Sequence, residues 1–165
     1  MNKLAYAILA LASIGIASAQ KVAVINSQKA VLDTEEIKKA QVDLEAKFKP
    51  RQDKIVQVQK DLQTIQAQLQ SGKLNAMGEQ ELNAEGTKKQ RDLQRLQQDL
   101  QDDVNAERND ILQRSGARMQ EVVKKMADEK GLDIVIDTTN AVFYKSAFDL
   151  TAEAVAAYNK TYPVK

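Results

Sequence analysis

Acidic, hydroxyl and amide side chains cluster at a few places where they could do chemistry. Asp102 and Asp103 are adjacent carboxylates. Two carboxylates share acid-base work only when both face one atom, and neighbouring residues on a helix point about 100° apart. They therefore read as a solvated face. Asp137-Thr138-Thr139-Asn140 brings four oxygen-bearing side chains together. A calcium loop needs further acidic ligands at set spacing; these are missing, and the segment reads as a turn. Gly72-Lys73 lacks the preceding glycine loop that cradles a phosphate. The chain has no histidine and no cysteine. That removes the commonest general base, thiolate chemistry, imidazole or thiolate metal sites and any Ser-His-Asp arrangement. The sequence assigns no catalytic residue, no metal site and no cofactor, and the chain reads as a non-enzyme.

The elements that would have to position any such group are unusual in themselves. From Glu35 to Lys130 the chain is rich in Gln, Lys, Glu, Asp and Ala and carries only a thin apolar stripe. Leu44, Phe48, Arg51, Ile55, Val58, Leu62, Ile65 and Leu69 alternate spacings of four and three, a heptad seam with one polar member, Arg51. Ser71 to Gly78 interrupts the stripe with two glycines in a short polar loop. It resumes at Leu82, Leu93, Leu96, Leu100, Val104, Ile111, Val122 and Met126. The pattern predicts two long helices, 36–70 and 79–130, folded into an antiparallel hairpin. Pro50 removes a backbone donor inside the first arm, but the period continues on both sides, which predicts a kink and not an end. In the second arm Leu100, Ile111 and Val122 are eleven apart, as are Val104, Ser115 and Met126. An eleven-residue repeat predicts a supercoil that relaxes toward the open end. Gly86 and Gly116 weaken the helix locally, and flexing is expected near Pro50 and Gly116.

The flanks look different. Lys3, an apolar run from Leu4 to Ile16 and the small-residue site Ala17-Ser18-Ala19 make residues 1–19 a secretory signal cleaved after Ala19. The run is shorter than a membrane-spanning helix requires. Lys21 to Ile25 reads as a strand, stopped by Asn26 and Ser27, which can cap a short helix over 28–32. Asp33 and Thr34 can cap the long helix. Gly131 ends the second arm. Leu132 to Asp137 reads as a second strand, Thr138 to Asn140 as a turn and Ala141 to Tyr144 as a third strand forming a hairpin with the second. Thr151 can cap a last helix running to about Asn159. Five of the seven aromatic residues lie between Phe143 and Tyr162, so the compact core is expected here. The predicted fold is mainly α with a small β part: a helical hairpin, 35–130, inserted in a small β-stranded base made of 20–34 and 131–165. Such a base is marginal alone and has strand edges to cover, which predicts an oligomer held through Val22, Val24, Ile134, Ile136 and Val142. Val42, Phe48, Val56, Leu74 and Met77 are apolar residues surplus to the hairpin or near its tip, and are the candidate partner-facing set.

Without Lys3 the remaining chain carries 23 basic and 23 acidic side chains. A nucleic-acid binder would show a basic excess, so none is expected. Export leads to an oxidising compartment, yet no disulfide can staple this chain. Stability must come from packing and association.

The signal, Lys21-Val22-Ala23-Val24-Ile25-Asn26, the Gln/Lys-rich hairpin, Leu132-Asp133-Ile134-Val135-Ile136-Asp137, Asn140-Ala141-Val142-Phe143-Tyr144 and Asp149-Leu150-Thr151 together resemble the Skp/OmpH family of periplasmic chaperones. The resemblance spans essentially the whole chain after the signal. It implies a homotrimer with three helical tentacles on a β-structured base, holding unfolded outer-membrane β-barrel proteins without ATP. The best-known members are strongly basic and this chain is neutral, so no lipopolysaccharide-binding residue is carried over and membrane-surface contact is left open. A periplasmic coiled-coil spacer or assembly scaffold would use the same hairpin with its seam fully self-satisfied.

Overall fold

The computed structural model describes residues 20–164. The signal segment, and with it the expected cleavage after Ala19, lies outside them. In order, the elements are strand β1 (Val22–Ile25), helix α1 (Ser27–Leu32), helix α2 (Glu35–Gln70), helix α3 (Ala76–Lys130), strand β2 (Ile134–Asp137) and helix α4 (Thr151–Thr161), with 3-10 turns at Thr138–Asn140 and Ser146–Phe148.

α2 and α3 form the hairpin, about 54 Å and 82 Å long at the usual rise per residue. Thr34 Oγ1 accepts from the Ile37 N–H at 3.3 Å and starts α2. Asn75 Oδ1 accepts from the Gly78 N–H at 2.8 Å and starts α3, so the tip loop is shorter than the predicted break. Gly131 ends α3 at φ 61°, a left-handed conformation that glycine adopts without a Cβ clash. α2 continues through Pro50, and α3 through Gly116.

The seam follows the heptad pattern. Phe48, Val58 and Ile65 of α2 and Leu93 of α3 are buried, while Leu44, Ile55, Leu62, Leu69, Leu96, Leu100 and Val104 are half-buried. Gly86 faces this seam. A Cβ there would sit 3.4 Å from Ile65 Cγ2, at the near limit of ordinary van der Waals contact, so the arms pack closely near the tip.

The base differs from its prediction in its sheet and in the start of its last helix. β1 pairs with β2 in parallel, Val22 opposite Ile134 and Ile25 opposite Asp137, in a two-stranded sheet. The whole hairpin is the crossover connection that a parallel pair requires. Ala141 to Tyr144 is not a third strand. The Thr138–Asn140 turn, held by Asp137 Oδ1 accepting from the Thr139 N–H at 2.9 Å, leads the chain away from β2 and leaves the next segment without a ladder. The other edge of β1 meets Asp149 in an isolated bridge, and the Leu150 N–H donates to the Val24 carbonyl at 2.9 Å.

One face of the sheet lies on the helices. Ala23, Ile25, Ala30, Met119, Val122, Met126, Leu150, Ala154 and Tyr158 form the buried core, with Val31, Val123, Leu132, Val135 and Val155 packed around it. The expected cap of α4 is also revised. The Thr151 hydroxyl accepts from the Asn26 N–H at 2.9 Å, tying α4 to the end of β1, and it is Asp149 Oδ1 that accepts from the Thr151 N–H at 2.9 Å.

Candidate functional site

Two surfaces have the character of binding sites, one on the arms and one on the base. Along the arms the charges are largely spent on one another. Lys47 Nζ donates to both oxygens of Glu107 at 2.7 and 2.5 Å, Arg51 Nη1 to Asp103 at 2.5 Å, and Lys89 Nζ to Asp61 at 2.8 Å. Arg51, the polar member of the seam, thus finds its partner across the hairpin, and Asp103 is more than a solvated carboxylate. Asp102, next to it, accepts from Gln98 Nε2 along its own helix at 2.9 Å. Hydrogen bonds from Lys89 and Gln57 hold the Asp61 carboxyl below its usual range, and the bond to Asp61 raises Lys89. These pairs are solvent-accessible, so each is worth little alone. They fix which residues face each other.

The candidate partner-facing residues do not form one patch. Val42, Val56 and Met77 are 65%, 46% and 68% exposed. Leu74 is half-buried at the tip. Phe48 is not on that surface. At 4% exposure it is a seam residue, under the ammonium of Lys47 and the guanidinium of Arg51 at 5.5 and 5.7 Å from its ring centroid. Its place in the four-three spacing is the physical reason, since that position points at α3 and not at solvent. At the root of the hairpin a gap of about 240 Å³ opens between the arms, lined by Leu32, Ile37, Ala40, Leu44, Ile111 and Leu112.

On the base, the register places Val22, Val24, Ile134 and Ile136 together on the sheet face turned away from the helical core. Val24 is buried within the protomer at 4% exposure. Ile134 is 48% exposed, and Val142 stands fully in solvent on the unpaired segment. Sequence reasoning treated Phe143 and Tyr144 as strand members and Phe148 as core. All three are exposed, at 81%, 37% and 46%. Their apolar character was visible, but not that their own chain leaves them uncovered. A cleft of about 530 Å³ beside β2 is lined by Ile25, Val31, Met119, Val123, Leu132 and Val135.

A third cluster had no signal in the sequence. Glu36, in the first turn of α2, meets Arg114 and Arg118 of α3 and Tyr158 of α4. Burial pushes the Glu36 carboxyl up, but the hydrogen bonds from Tyr158 and Arg118 and the charges of Arg118 and Arg114 outweigh it and leave the group below the ordinary value. Burial and the bond to Glu36 push the Tyr158 phenol up. Among the described residues Ser115 Oγ, wholly buried, has no hydrogen-bond partner. Elsewhere, hydrogen bonds from Ser27 and Thr139 hold the Asp137 carboxyl far below its usual range, so the four oxygen donors 137–140 are a turn closed on itself.

A long helical hairpin on a small α/β base, with exposed apolar side chains scattered over both, defines an elongated protein whose surfaces suit binding other chains. The comparisons are specific. The family model described as outer membrane protein (OmpH-like) matches residues 21–158, and the chain belongs to that family. It is 28% identical over 142 residues to a Skp-like protein of Pseudomonas aeruginosa, covering 85% of this chain and 84% of that one. It is 29% identical over 153 residues to the chaperone protein Skp of Yersinia enterocolitica, covering 89% and 91%. A crystal structure of an OmpH-like protein from Caulobacter crescentus superposes with a TM-score of 0.76 at 17% identity, covering 88% of both chains, and shares the fold.

Proposed function

We propose that the chain is an ATP-independent periplasmic holdase that binds unfolded outer-membrane β-barrel proteins and prevents their aggregation in transit to the outer membrane. Membership of the OmpH-like family, with relatives named chaperone Skp, carries this reading. The arm surface supports it. A holdase must accept many sequences, and Val42, Val56 and Met77 are separate weak contacts on long polar arms, which enclosure by several arms would add together.

The working form is a homotrimer assembled through its base, after export and cleavage behind Ala19. Each chain has one unpaired apolar segment, 141–144, and one strand edge, that of β2, with no neighbour among the described residues. One donor and one acceptor per chain suit a head-to-tail contact that closes into a ring by strand addition. Val142 and Phe143 of one copy would then reach β2 and the adjoining cleft of the next. Three copies is the number that the sequence resemblance implies.

The test dilutes a urea-unfolded outer-membrane β-barrel protein into buffer with and without the mature protein, at low salt and at about 0.5 M, where charges are screened beyond a few ångströms. Light scattering should be suppressed near stoichiometry without nucleotide, and at both salts because the arms are neutral. No suppression at several-fold excess would leave a coiled-coil spacer as the better account.

A further inference from the structure

Three helices meet at the side chain of Glu36 where the hairpin leaves the base. Arg118 Nη1 donates to its two oxygens at 2.9 and 3.0 Å, and Arg114 Nε stands 3.7 Å away. The fully buried Tyr158 donates its hydroxyl to Glu36 Oε2. The Arg118 guanidinium lies 4.8 Å over the ring of Tyr162, whose ring is 5.1 Å from that of Tyr158. The Tyr162 hydroxyl in turn donates to Glu121 of α3 at 2.9 Å. One residue before Glu36, the Glu35 N–H donates to Asn159 Oδ1 of α4 at 3.0 Å. α4 therefore holds the first turn of α2 and the root of α3 at once. It is itself tied to β1 through Leu150 and Thr151.

The burial of its carboxylate, not of its arginines, separates this cluster from the other ion pairs. The Glu36 side chain is 16% exposed, whereas Arg51 and Asp103 on the arms are 36% and 59% exposed. A carboxylate held by a guanidinium and a phenol has a narrow choice of geometry, because losing either partner leaves a desolvated charge under-satisfied. Such a joint favours one direction. Outside it, the arm is held by a single seam and solvated pairs.

We propose that Glu36, Arg118 and Tyr158 form a clasp that sets the direction in which the hairpin leaves the base, with Tyr158 of α4 as the positioning residue. Resting on the holdase reading, the clasp sets the spread of the arms and so the size of client they can enclose. The clasp itself acts within one chain.

The experiment exploits the absence of native cysteine. Spin labels are placed at the exposed positions Glu45 on α2, on the base side of Pro50, and Ala156 on α4, and labelled chains are diluted with unlabelled ones so that only the intrachain distance is read. The parent protein should give one narrow distance. Tyr158→Phe, which removes only the hydroxyl, and Glu36→Gln, which removes only the charge, should each lose it and give a broad distribution, with helix content by circular dichroism kept. A narrow, unshifted distance in both variants would overturn the clasp. Should Glu36→Gln unfold, Tyr158→Phe alone decides. Failure of the parent protein to suppress aggregation would overturn the holdase reading and leave the distance result standing.

Discussion

The base and the arms are stabilised in different ways. In the base, nine buried residues from β1, α1, α3 and α4 and the loop before α4 close one core, and the chain's most distant segments meet there. In the arms, burial is confined to a line one side chain wide: Phe48, Val58 and Ile65 against Leu93, flanked by half-buried leucines. A core distributes the loss of any contact among many neighbours and unfolds as a unit, whereas a seam can open locally. The base is therefore suited to assembly and the arms to adapting around partners of different shape. Glu36 sits where the two regimes join.

The largest effect is expected at the exposed sheet face. Ile134→Asp would bury a charge wherever a second copy covers β2, at a cost of several kcal/mol. Because Ile134 is half exposed in the protomer, the fold should survive. Light scattering should show loss of assembly, with circular dichroism little changed. A wild-type protein already monomeric at micromolar concentration would remove the basis for this half of the comparison.

Next is a matched pair of truncations. Met119→Ala in the core should cost about 2–5 kcal/mol of global stability in urea unfolding. Ile65→Ala in the seam should fall near the low end of that range and act locally. Hydrogen exchange separates the two: Ile65→Ala should speed exchange near the tip only, while Met119→Ala should speed it throughout the base. Equal, global effects from both would break the comparison.

Acid should release the joint before the core fails. The hydrogen bonds from Tyr158 and Arg118 hold the Glu36 carboxyl below its ordinary value of 4.5 despite its burial, so its contribution is complete above that ordinary value and is lost as pH falls through the folded one. The Glu45–Ala156 distance should broaden in that window. In Glu36→Gln, the distribution should be broad already and independent of pH there.

The smallest effect belongs to the ion pairs between the arms. A double-mutant cycle on Arg51→Ala and Asp103→Ala should give a coupling of about 0.2–1 kcal/mol, diminished by salt. A coupling of several kcal/mol would mean that the arms are held by their charges as firmly as the base is by its core.

Much of this was legible from the residues. The four-three spacing marked the arms and their tip, and Asn26, Thr34 and Gly131 marked helix ends. The aromatic bias located the core only in part: Tyr158 belongs to it, but Phe143, Tyr144 and Phe148 are exposed, and Met119, Val122 and Met126 come from the hairpin. Phe48 was placed both in the seam and among partner-facing residues, and the spacing alone should have settled it. The third strand was a different kind of miss. Ala141 to Tyr144 has strand composition, but strand formation requires a pairing edge, and the protomer offers it none. Thr151 has the residue type of a cap, yet its hydroxyl went to Asn26, a residue far away in the chain.

The sequence by itself determined the hairpin, because helical periodicity and capping are local and repeat within a few residues. Only the tertiary structure decided that β1 and β2 run parallel, that Val142, Phe143 and Phe148 are left uncovered, and that Glu36 meets Arg118 and Tyr158. Those facts depend on which distant segments become neighbours, and no local spacing encodes that. The same non-local closure that buries Tyr158 brings its hydroxyl to Glu36 at the root of the arms.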